Sequence, residues 1–335
     1  MMSLEDFLAE WHSDSPYVRV QTSGSTGVPK SMLVEKRRML NSARITCDFL
    51  GLKAGDAALL CMSLDYIAGK MMVVRAIERG LRLIVQEPCG HPLAENPSSG
   101  VRGGVTFDFA AMVPMQVWNS IQVPEERERL RQIRHLIIGG GAIDEALARE
   151  LRTFPNAVWS TYGMTETLSH IALRRLSGPD ASEWYVPFPS VRVSLSEECC
   201  LVIDAPEVCP EPLVTNDIAE IKCLESEAKG QFRILGRKDN VICSGGLKIQ
   251  AEEVERLLRP HMPVPFMISR RPDPKFGEVV VLLTEGDIAE ARSVCEYVLT
   301  RYHRPRAYMH VDAVPLTETG KPARAVAERL AREMR

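Results

Sequence analysis

The feature that most constrains the fold is an alternation of short apolar runs with longer amphipathic segments through the first two thirds of the chain. The apolar runs have the length of strands, and the segments between them have the period of helices. This alternation is typical of an α/β domain whose sheet is largely parallel. The predicted strands are Ala57–Met62, Leu81–Val85, His135–Ile138 and Ala157–Tyr162, and the predicted helices are Glu35–Phe49, Ala68–Arg79, Pro124–Arg134 and Asp144–Thr153.

The pattern changes in the last third of the chain. Short strand-like runs with turn residues over Val191–Ile234 predict a small β subdomain. Beyond it, two helices and two strands are predicted, over Ala251–Leu258, Ile288–Tyr302, Val279–Thr284 and Ala307–Val311. The sequence thus predicts an α/β protein with a large N-terminal domain, residues 1–238, whose mostly parallel sheets are flanked by helices. A small, mobile α+β C-terminal domain would follow, residues 239–335, with the boundary near Asp239.

Composition excludes several classes of protein. The chain has 335 residues, of which 45% are hydrophobic and 25% charged, as in a globular protein with an ample core. With 41 Lys and Arg against 44 Asp and Glu, it offers no electrostatic reason to bind nucleic acid or an anionic membrane. The N-terminus lacks the profile of a signal peptide, and the nine cysteines form no C-x-x-C pair. We expect a cytoplasmic protein with reduced thiols and no membrane span.

One segment is rich in groups that can hold a phosphate. It combines four hydroxyl residues, two glycines and a lysine: Thr22, Ser23, Gly24, Ser25, Thr26, Gly27 and Lys30. Backbone and side-chain donors in such a loop can surround phosphate oxygens. It is not a Walker A loop, because Pro29 occupies the place of the required glycine. An ordinary Ser/Gly turn is the alternative interpretation of this segment taken alone.

Together with four later motifs, this loop resembles the acyl-adenylate-forming superfamily, which includes acyl-CoA ligases and peptide-synthetase adenylation domains. The later motifs follow in the family's order. They are Tyr162-Gly163-Met164-Thr165-Glu166, Thr215-Asn216-Asp217 with asparagine in the usual glycine place, Gly236-Arg237-Lys238-Asp239, and Pro315-Leu316-Thr317-Glu318-Thr319-Gly320-Lys321. The family usually has over a hundred residues before the phosphate loop, so the usual N-terminal subdomain is expected to be missing.

The resemblance implies that the chain activates a carboxylic acid with ATP. The carboxylate would attack the α-phosphorus, and catalysis would depend on positioning and fixed positive charge. Thr165, Glu166 and Lys321 would be catalytic, with Glu166 holding Mg²⁺ and Lys321 bridging the acyl carboxylate and the α-phosphate. ATP or AMP would be bound by the segment Thr22–Lys30 and by Gly139, Gly140, Gly141, Tyr162, Gly163, Asp217 and Arg237. The three consecutive glycines could instead be only a strand-to-helix turn.

The same resemblance implies a second reaction, in which the acyl group passes to the thiol of CoA. Asp239 would be the hinge about which the C-terminal domain rotates between the two reactions. Gly245 and Gly246 would lie beside the tunnel through which the thiol arrives. The expected cofactors and co-substrates are therefore ATP, Mg²⁺ and CoA, and a homodimer is left open.

The sequences of residues 66–72 and 162–172 resemble those of short o-succinylbenzoate–CoA ligases of menaquinone biosynthesis. Tyr66 and Lys70 are four residues apart, so a helix would place them on one face. Tyr66 could stack on a benzoate ring and Lys70 could bind a second carboxylate, with Gly69 and His170 also in the pocket. Alternatively, Tyr66 is a core aromatic residue, Lys70 extends to solvent, and His170 is a buried histidine with satisfied hydrogen bonds.

Three other functions remain open at this point. The chain could be another aryl- or acyl-CoA ligase, or an adenylation enzyme that loads a carrier-protein thiol. It could also be a nucleotide-binding relative without catalysis, a reading that loss of Lys321 or Glu166 would have favoured. Both residues are present.

Overall fold

The computed structural model describes residues 2–21, 31–95, 101, 105–141, 143, 145–222, 230–317 and 321–333. Its contacts divide the chain into two compact units. The first comprises Met1–Val193, Ile203–Leu213 and Lys222–Phe232, and the second comprises Ser194–Val202, Val214–Ile221 and Arg233–Arg335. The domain boundary near Asp239 stays a prediction.

Strands and helices alternate as the sequence predicts through the first unit. Among the described residues, the strands are β1 (Tyr17–Gln21), β2 (Ser31–Glu35), β3 (Ala57–Leu60), β4 (Arg82–Val85), β5 (Phe109–Met112), β6 (His135–Ile138), β7 (Ala157–Gly163), β8 (His170–Arg175), β9 (Val186–Pro187), β10 (Arg192–Leu195), β11 (Cys200–Asp204), β12 (Leu213–Lys222), β13 (Gln231–Arg237), β14 (Val241–Ser244), β15 (Leu247–Gln250), β16 (Phe266–Asp273), β17 (Gly277–Thr284) and β18 (Ala307–His310). The helices are α1 (Leu4–His12), α2 (Lys36–Leu50), α3 (Ile67–Arg79), α4 (Pro114–Gln122), α5 (Pro124–Gln132), α6 (Glu145–Arg152), α7 (Ala251–Leu258), α8 (Ile288–Val298) and α9 (Arg324–Glu333).

A seven-stranded sheet forms the centre of the first unit, in the order β4-β3-β5-β6-β7-β8-β9. Neighbouring strands from β4 to β7 are parallel, whereas β8 and β9 are added antiparallel. The inner parallel strands are buried on both faces, which explains their continuous apolar runs. Apolar side chains of α4, α5 and α6 pack on one face, and α3 contacts β3 and β4. The predicted parallel sheet flanked by helices is confirmed.

The predicted short strands after Val191 are also present. They form a four-stranded sheet in the order β10-β11-β12-β13. The predicted helix Ile288–Tyr302 is shorter in the structure, because α8 ends at Val298 and the backbone of Leu299 is extended. The hairpin β1–β2 and helices α1 and α4 were not predicted, because each is short and offers few turns of periodic pattern.

The C-terminal part of the second unit is an α+β arrangement around a sheet in the order β15-β14-β17-β16, with β18 beside β17. Alternate residues of β17 supply two cores. Val280 and Leu282 pack with residues of α7 and α8, while Val281 and Leu283 pack with residues of α9. The alternation therefore places helices on both faces of this sheet.

Within the described part of the chain, no helix combines the length and apolar character needed to cross a membrane.

Candidate active site

The carboxyl ends of β6 and β7 lie side by side in the first unit. These strands are parallel neighbours, paired from His135 with Ala157 to Ile138 with Ser160. Gly139 follows β6 directly, and a Cβ at this glycine would lie 2.4 Å from Thr161 Oγ1 on β7. Gly140 continues with a φ of +80°, which favours glycine. Ligands bind preferentially at this edge of an open α/β sheet, so the glycines predicted to bind ATP or AMP lie where a nucleotide can reach bare backbone.

Gly163 is required by a close approach of two backbone segments. The pairing of β7 with β8 shifts register between Tyr162 and Gly163. A Cβ at Gly163 would lie 2.1 Å from the carbonyl oxygen of Ser169. Such a distance excludes any side chain unless the backbone moves. The irregularity turns the chain out of the sheet and into the segment that carries Thr165 and Glu166.

A single 3-10 turn, Thr165–Thr167, presents the predicted catalytic pair. The buried Thr167 holds this turn, because its hydroxyl oxygen accepts a hydrogen bond from the amide of Met164 at 3.0 Å and lies 2.8 Å from the carbonyl oxygen of Ser169. Thr165 is half-buried and Glu166 is exposed. Thr167 thus fixes the turn on its buried side, while the side chain of Glu166 is exposed.

Glu166 suits the magnesium role that the sequence predicts. Among the described residues, no hydrogen bond or ion pair engages its exposed carboxylate. Mg²⁺ in nucleotide sites takes one or two carboxylates and fills its other positions with phosphate oxygens and water. A lone, accessible carboxylate fits that donor set, and no cluster of three or more His, Cys, Asp or Glu side chains occurs in the described ranges.

A buried chain of hydrogen bonds begins at Arg75 on α3. Its guanidinium donates to Ser169 Oγ at 2.7 Å, and Ser169 Oγ lies 3.1 Å from His170 Nδ1. His170 Nε2 lies 3.1 Å from Thr46 Oγ1, and Thr46 donates to the carbonyl of Ser42. Because Thr46 uses its proton there, it accepts from His170. The imidazole therefore carries its proton on Nε2 and accepts from Ser169 at Nδ1.

The positive charge of Arg75 has no compensating carboxylate in the part of the chain that the structure describes. Only 2% of the residue is exposed, and its buried Nε has no hydrogen-bond partner. Burial lowers the pKa of this guanidinium to about 10. Burial, with the charge of Arg75 as the second cause, holds the pKa of His170 well below its usual range. In the cluster formed by Arg75, Ser169, His170 and Thr46, Arg75 thus carries the positive charge and His170 stays neutral.

The structure gives Lys70 different neighbours from those predicted. Its ammonium donates to the carbonyl of Arg19 at 2.7 Å and lies 3.6 Å from Glu10 Oε2. Tyr66 is the residue before α3 begins and is half-buried, whereas Lys70 lies within the helix and is buried. Gly69 packs against backbone, since a Cβ there would lie 2.3 Å from the carbonyl oxygen of Ser63. In the proposal below, Arg75 therefore replaces Lys70 as the group that binds a second carboxylate.

The residues predicted for the acyl pocket included Lys70 and His170, whereas Ser169 and Thr46 were missed. A signal for Arg75 was present, because it is the one charged residue in the run from Met71 to Ile77. A charge within an apolar helical run indicates burial, and a buried charge needs a partner. Ser169 and Thr46 carry no comparable signal in sequence.

In the second unit, Arg237 contacts both Asp217, predicted to bind the nucleotide, and Asp239, the predicted hinge residue. Its guanidinium lies 3.2 Å from Asp217 Oδ1 and 3.2 Å from Asp239 Oδ2. Asn216, which departs from the family's glycine, donates to the same carboxylate of Asp239 at 3.2 Å. The side chain of Gln250 donates to the carbonyl of Arg237 at 3.0 Å. The carboxylate of Asp239, the predicted hinge residue, is thus held by two donors, Arg237 and Asn216.

Lys321 is hydrogen-bonded to Thr317 in the second unit. The Thr317 amide donates to the carbonyl of Lys321 at 2.7 Å, and the Lys321 amide donates to Thr317 Oγ1 at 3.1 Å. Burial, with the charge of Arg237 as the second cause, lowers the pKa of the Lys321 ammonium. A partly desolvated lysine is suited to bind a charged oxygen, because electrostatic interactions are stronger away from water.

Gly245 and Gly246 form the turn between β14 and β15. Ser244 pairs with Leu247, and both glycines have positive φ, +58° and +85°, as a two-residue hairpin of this kind requires. Beside this turn lies a cavity of about 130 Å³. It is lined by Ser244, Gly245, Leu247, Phe276, Val280, Tyr302, Arg304 and Arg306. Two arginines and two aromatic rings line it, and the guanidinium of Arg304 also donates to the backbone carbonyls of Leu299 and Glu296.

The predicted phosphate-binding residues Thr22–Lys30 lie outside the described residues. Their flanks are described, since Gln21 ends β1 and pairs with Ser31 at the start of β2.

Comparison with known proteins is consistent with this site. Residues 5–208 match a family described as AMP-binding enzyme. A 2-succinylbenzoate–CoA ligase of Haemophilus influenzae is 24% identical over 88% of this chain and 66% of its own length. The chain thus spans about two thirds of that relative. A solved acyl-CoA synthetase (AMP-forming)/AMP-acid ligase II-like protein of Dyadobacter fermentans is 31% identical, with 96% of this chain and 91% of that chain covered and a TM-score of 0.63.

The fold also matches o-succinylbenzoate coenzyme A synthetase of Bacillus subtilis, solved in complex with ATP and magnesium ion. That protein is 21% identical, with 92% of this chain and 68% of that chain covered and a TM-score of 0.70. The family match covers more than half of the chain, and the Dyadobacter structure matches nearly all of it. This chain belongs to the family of AMP-binding enzymes that includes the AMP-forming acyl-CoA synthetases.

Proposed function

We propose that the protein activates an aromatic carboxylic acid that carries a second carboxylate, with o-succinylbenzoate as the candidate, and transfers the acyl group to CoA. The acid would be joined to AMP at the expense of ATP, with release of pyrophosphate. The CoA thiol would then displace AMP. The observation that carries the choice of acid is the buried, uncompensated guanidinium of Arg75.

Arg75 supports a dicarboxylic substrate on energetic grounds. A buried charge without a partner is costly, and a protein that retains one gains from a ligand of opposite charge. Ser169, its hydrogen-bond partner, follows the turn Thr165–Thr167 by two residues, and His170 comes next. The cation is therefore tied to the segment that we expect to bind the reacting end of the substrate. A neutral His170 adds no second positive charge to the cluster.

The first reaction needs positive charge and hydrogen-bond donors around the α-phosphate. We assign these roles to Thr22–Lys30, Thr165 and Lys321, while Glu166 would hold Mg²⁺. The metal, when bound, neutralises phosphate charge and so helps the carboxylate to attack. Asp217 would accept hydrogen bonds from the ribose hydroxyls, with Arg237 fixing the orientation of its carboxylate.

The second reaction needs a place for the thiol carrier. CoA carries phosphates and an adenine ring, and the cavity beside Gly245 offers Arg304 and Arg306 together with Phe276 and Tyr302. The guanidinium of Arg306 already stacks 3.8 Å from the centroid of the Phe276 ring. This lining favours CoA over a carrier protein as the acceptor. A homodimer and a rotating C-terminal domain stay predictions.

A pyrophosphate-release assay over a panel of acids tests the proposal. The panel contains o-succinylbenzoate, benzoate, a monocarboxylic aryl analogue and aliphatic acids, each with and without CoA, and products are identified by mass spectrometry. We expect o-succinylbenzoate to give the highest kcat/KM and a CoA thioester. A higher kcat/KM for the monocarboxylic analogue would reject the proposal that the substrate carries a second carboxylate. Release with every acid but no thioester with CoA would favour a carrier protein as acceptor.

A further inference from the structure

The backbone that carries Lys321 runs directly into α9. Only two residues separate Lys321 from Arg324, the first residue of that helix. One of the two is Ala323, whose amide donates to the carbonyl of Pro315 at 2.9 Å. The segment 321–323 is therefore paired with the chain before it and continuous with the helix after it. Because so short a segment joins them, the position of Lys321 depends on how the start of α9 is held.

The start of α9 is held by an ion pair between Arg324 and Glu255 on α7. The guanidinium donates through Nη1 to Glu255 Oε1 at 2.6 Å and through Nη2 to Glu255 Oε2 at 2.7 Å. Two parallel bonds of this kind fix the orientation of both side chains. The same pair engages Ile268 of β16, whose carbonyl accepts from Arg324 Nη1 at 2.7 Å and whose amide donates to Glu255 Oε1 at 2.8 Å. One helix, one strand and the first residue of α9 thus meet in a single network.

The pair is more buried than the attachment of α9 to the sheet would require. Only 7% of the Glu255 side chain and 22% of the Arg324 side chain are exposed. Apolar residues of α9 already pack on β17, and a second arginine, Arg270 of β16, lies 3.6 Å from Glu328 of α9. A buried ion pair is often no more stabilising than apolar side chains in its place, but its fork geometry is specific. What the pair adds is a fixed position for the first residue of the helix.

We propose that Arg324 and Glu255 are positioning residues for Lys321, which hold the start of α9 and thereby the lysine ammonium in place for adenylation. The inference rests on the proposed function, since it takes Lys321 to bind the α-phosphate and the acyl carboxylate. A displacement of about 1 Å in such a group can cost about a hundredfold in rate. Loss of the pair should therefore slow formation of the acyl-adenylate and largely spare thioester formation from acyl-AMP supplied directly.

Single-turnover assays of the two half-reactions on the full chain test this inference. We expect Arg324→Met to slow adenylation by about tenfold or more. Arg324→Lys should restore part of the rate, because it keeps the charge and loses the fork. The matched control is Arg270→Met, which removes a contact between β16 and α9 that lies one turn beyond Arg324. Its adenylation rate should not change.

A double variant distinguishes positioning from a general loss of structure. If the pair acts only through Lys321, adding Arg324→Met to Lys321→Ala should slow adenylation no further than Lys321→Ala alone. Losses that multiply would overturn the inference, and so would equal losses in both half-reactions. Removing Arg324 leaves a buried carboxylate without its partner, which can prevent folding. In that case Arg324→Met combined with Glu255→Gln decides, since both charges are gone and the amide oxygen can still accept from Ile268.

The pKa of Lys321 gives a readout that does not require activity. Burial lowers this pKa, with the charge of Arg237 as the second cause. When the start of α9 is released, the ammonium gains water and its pKa should rise toward 10.5. Titration of isotopically labelled lysines by NMR measures it, with Lys321→Ala to assign the signal. An unchanged pKa in Arg324→Met would overturn the inference. A raised pKa in a chain whose parent adenylates no acid would reject only the proposed function.

Discussion

The guanidinium of Arg75 donates a 2.7 Å hydrogen bond to the hydroxyl of Ser169, across 94 residues of chain. This bond connects the interior of α3 to the segment that follows Thr165 and Glu166. It leaves the charge of Arg75 uncompensated among the described residues, and that charge is the basis for assigning a dicarboxylic acid.

Replacing Arg75 with methionine should separate activity from stability. We expect kcat/KM for o-succinylbenzoate to fall by a factor equivalent to about 1.5–3 kcal/mol, whereas a monocarboxylic aryl acid should be almost unaffected. The free energy of unfolding should not fall, because the change removes a buried charge and keeps an apolar stem. Steady-state kinetics with both acids and urea denaturation measure the two quantities.

Arg79→Met is the matched control for this prediction. Arg79 is on the same helix, but its guanidinium is paired with Asp48 and Glu78. Its removal should leave the preference between the two acids unchanged. Equal losses for the two acids in Arg75→Met would show that Arg75 does not bind the second carboxylate.

Lys70 and Arg75 show what could be predicted from this sequence and what could not. Parallel strands and their helices were predictable because a strand buried on both faces leaves a local signal, a continuous apolar run such as His135–Ile138. The motif glycines were predictable because they stand in motifs that resemble those of the family, although the contacts that require Gly139 and Gly163 come from other residues, Thr161 and Ser169. By contrast, the partners of Lys70 are Glu10 and Arg19, which lie in a helix and a strand that were not predicted. A pattern within one helix cannot show which distant element covers it.

Lys321→Ala should separate the two half-reactions. We expect formation of the acyl-adenylate to fall by about a hundredfold or more, the scale of losing one charged contact to a transition state. Thioester formation from acyl-AMP supplied directly should change much less. Single-turnover assays of each half-reaction measure this, and equal losses in both would assign Lys321 a structural role.

The pH dependence of adenylation should report the same lysine. Burial and Arg237 lower the pKa of Lys321 below its usual 10.5. The protonated form is the one that neutralises phosphate charge, so the rate should be full at lower pH and should decline as pH rises through the lowered pKa. The profile of kcat/KM against pH should lose this alkaline decline in Lys321→Ala. A decline that persists in that variant would belong to another group.

Asp239→Pro should stop one half-reaction and spare the other. Proline fixes φ and removes the amide proton, so it restricts the backbone rotation expected at the hinge. Asp239→Asn is the control, because it keeps backbone freedom while weakening the contacts with Arg237 and Asn216. Separate assays of the two half-reactions decide the point. Full overall turnover in Asp239→Pro would reject a rotating domain.

Gly163→Ala should destabilise the first unit. The added Cβ would meet the carbonyl oxygen of Ser169 at 2.1 Å, so backbone must move. We expect the free energy of unfolding to fall by about 1–3 kcal/mol, as for other overpacked sites. Gly141→Ala is the control, because its Cβ would approach nothing closer than 3.6 Å. Equal stability of the two variants in urea would contradict the close approach of β7 and Ser169.

Exchange of labelled pyrophosphate into ATP tests the central claim most directly, because it reports reversible formation of an acyl-adenylate at the enzyme. The account predicts exchange that requires both o-succinylbenzoate and Mg²⁺, proceeds without CoA, and is lost in Lys321→Ala. Absence of exchange with o-succinylbenzoate and with every other acid of the panel, in protein shown to be folded, would contradict it.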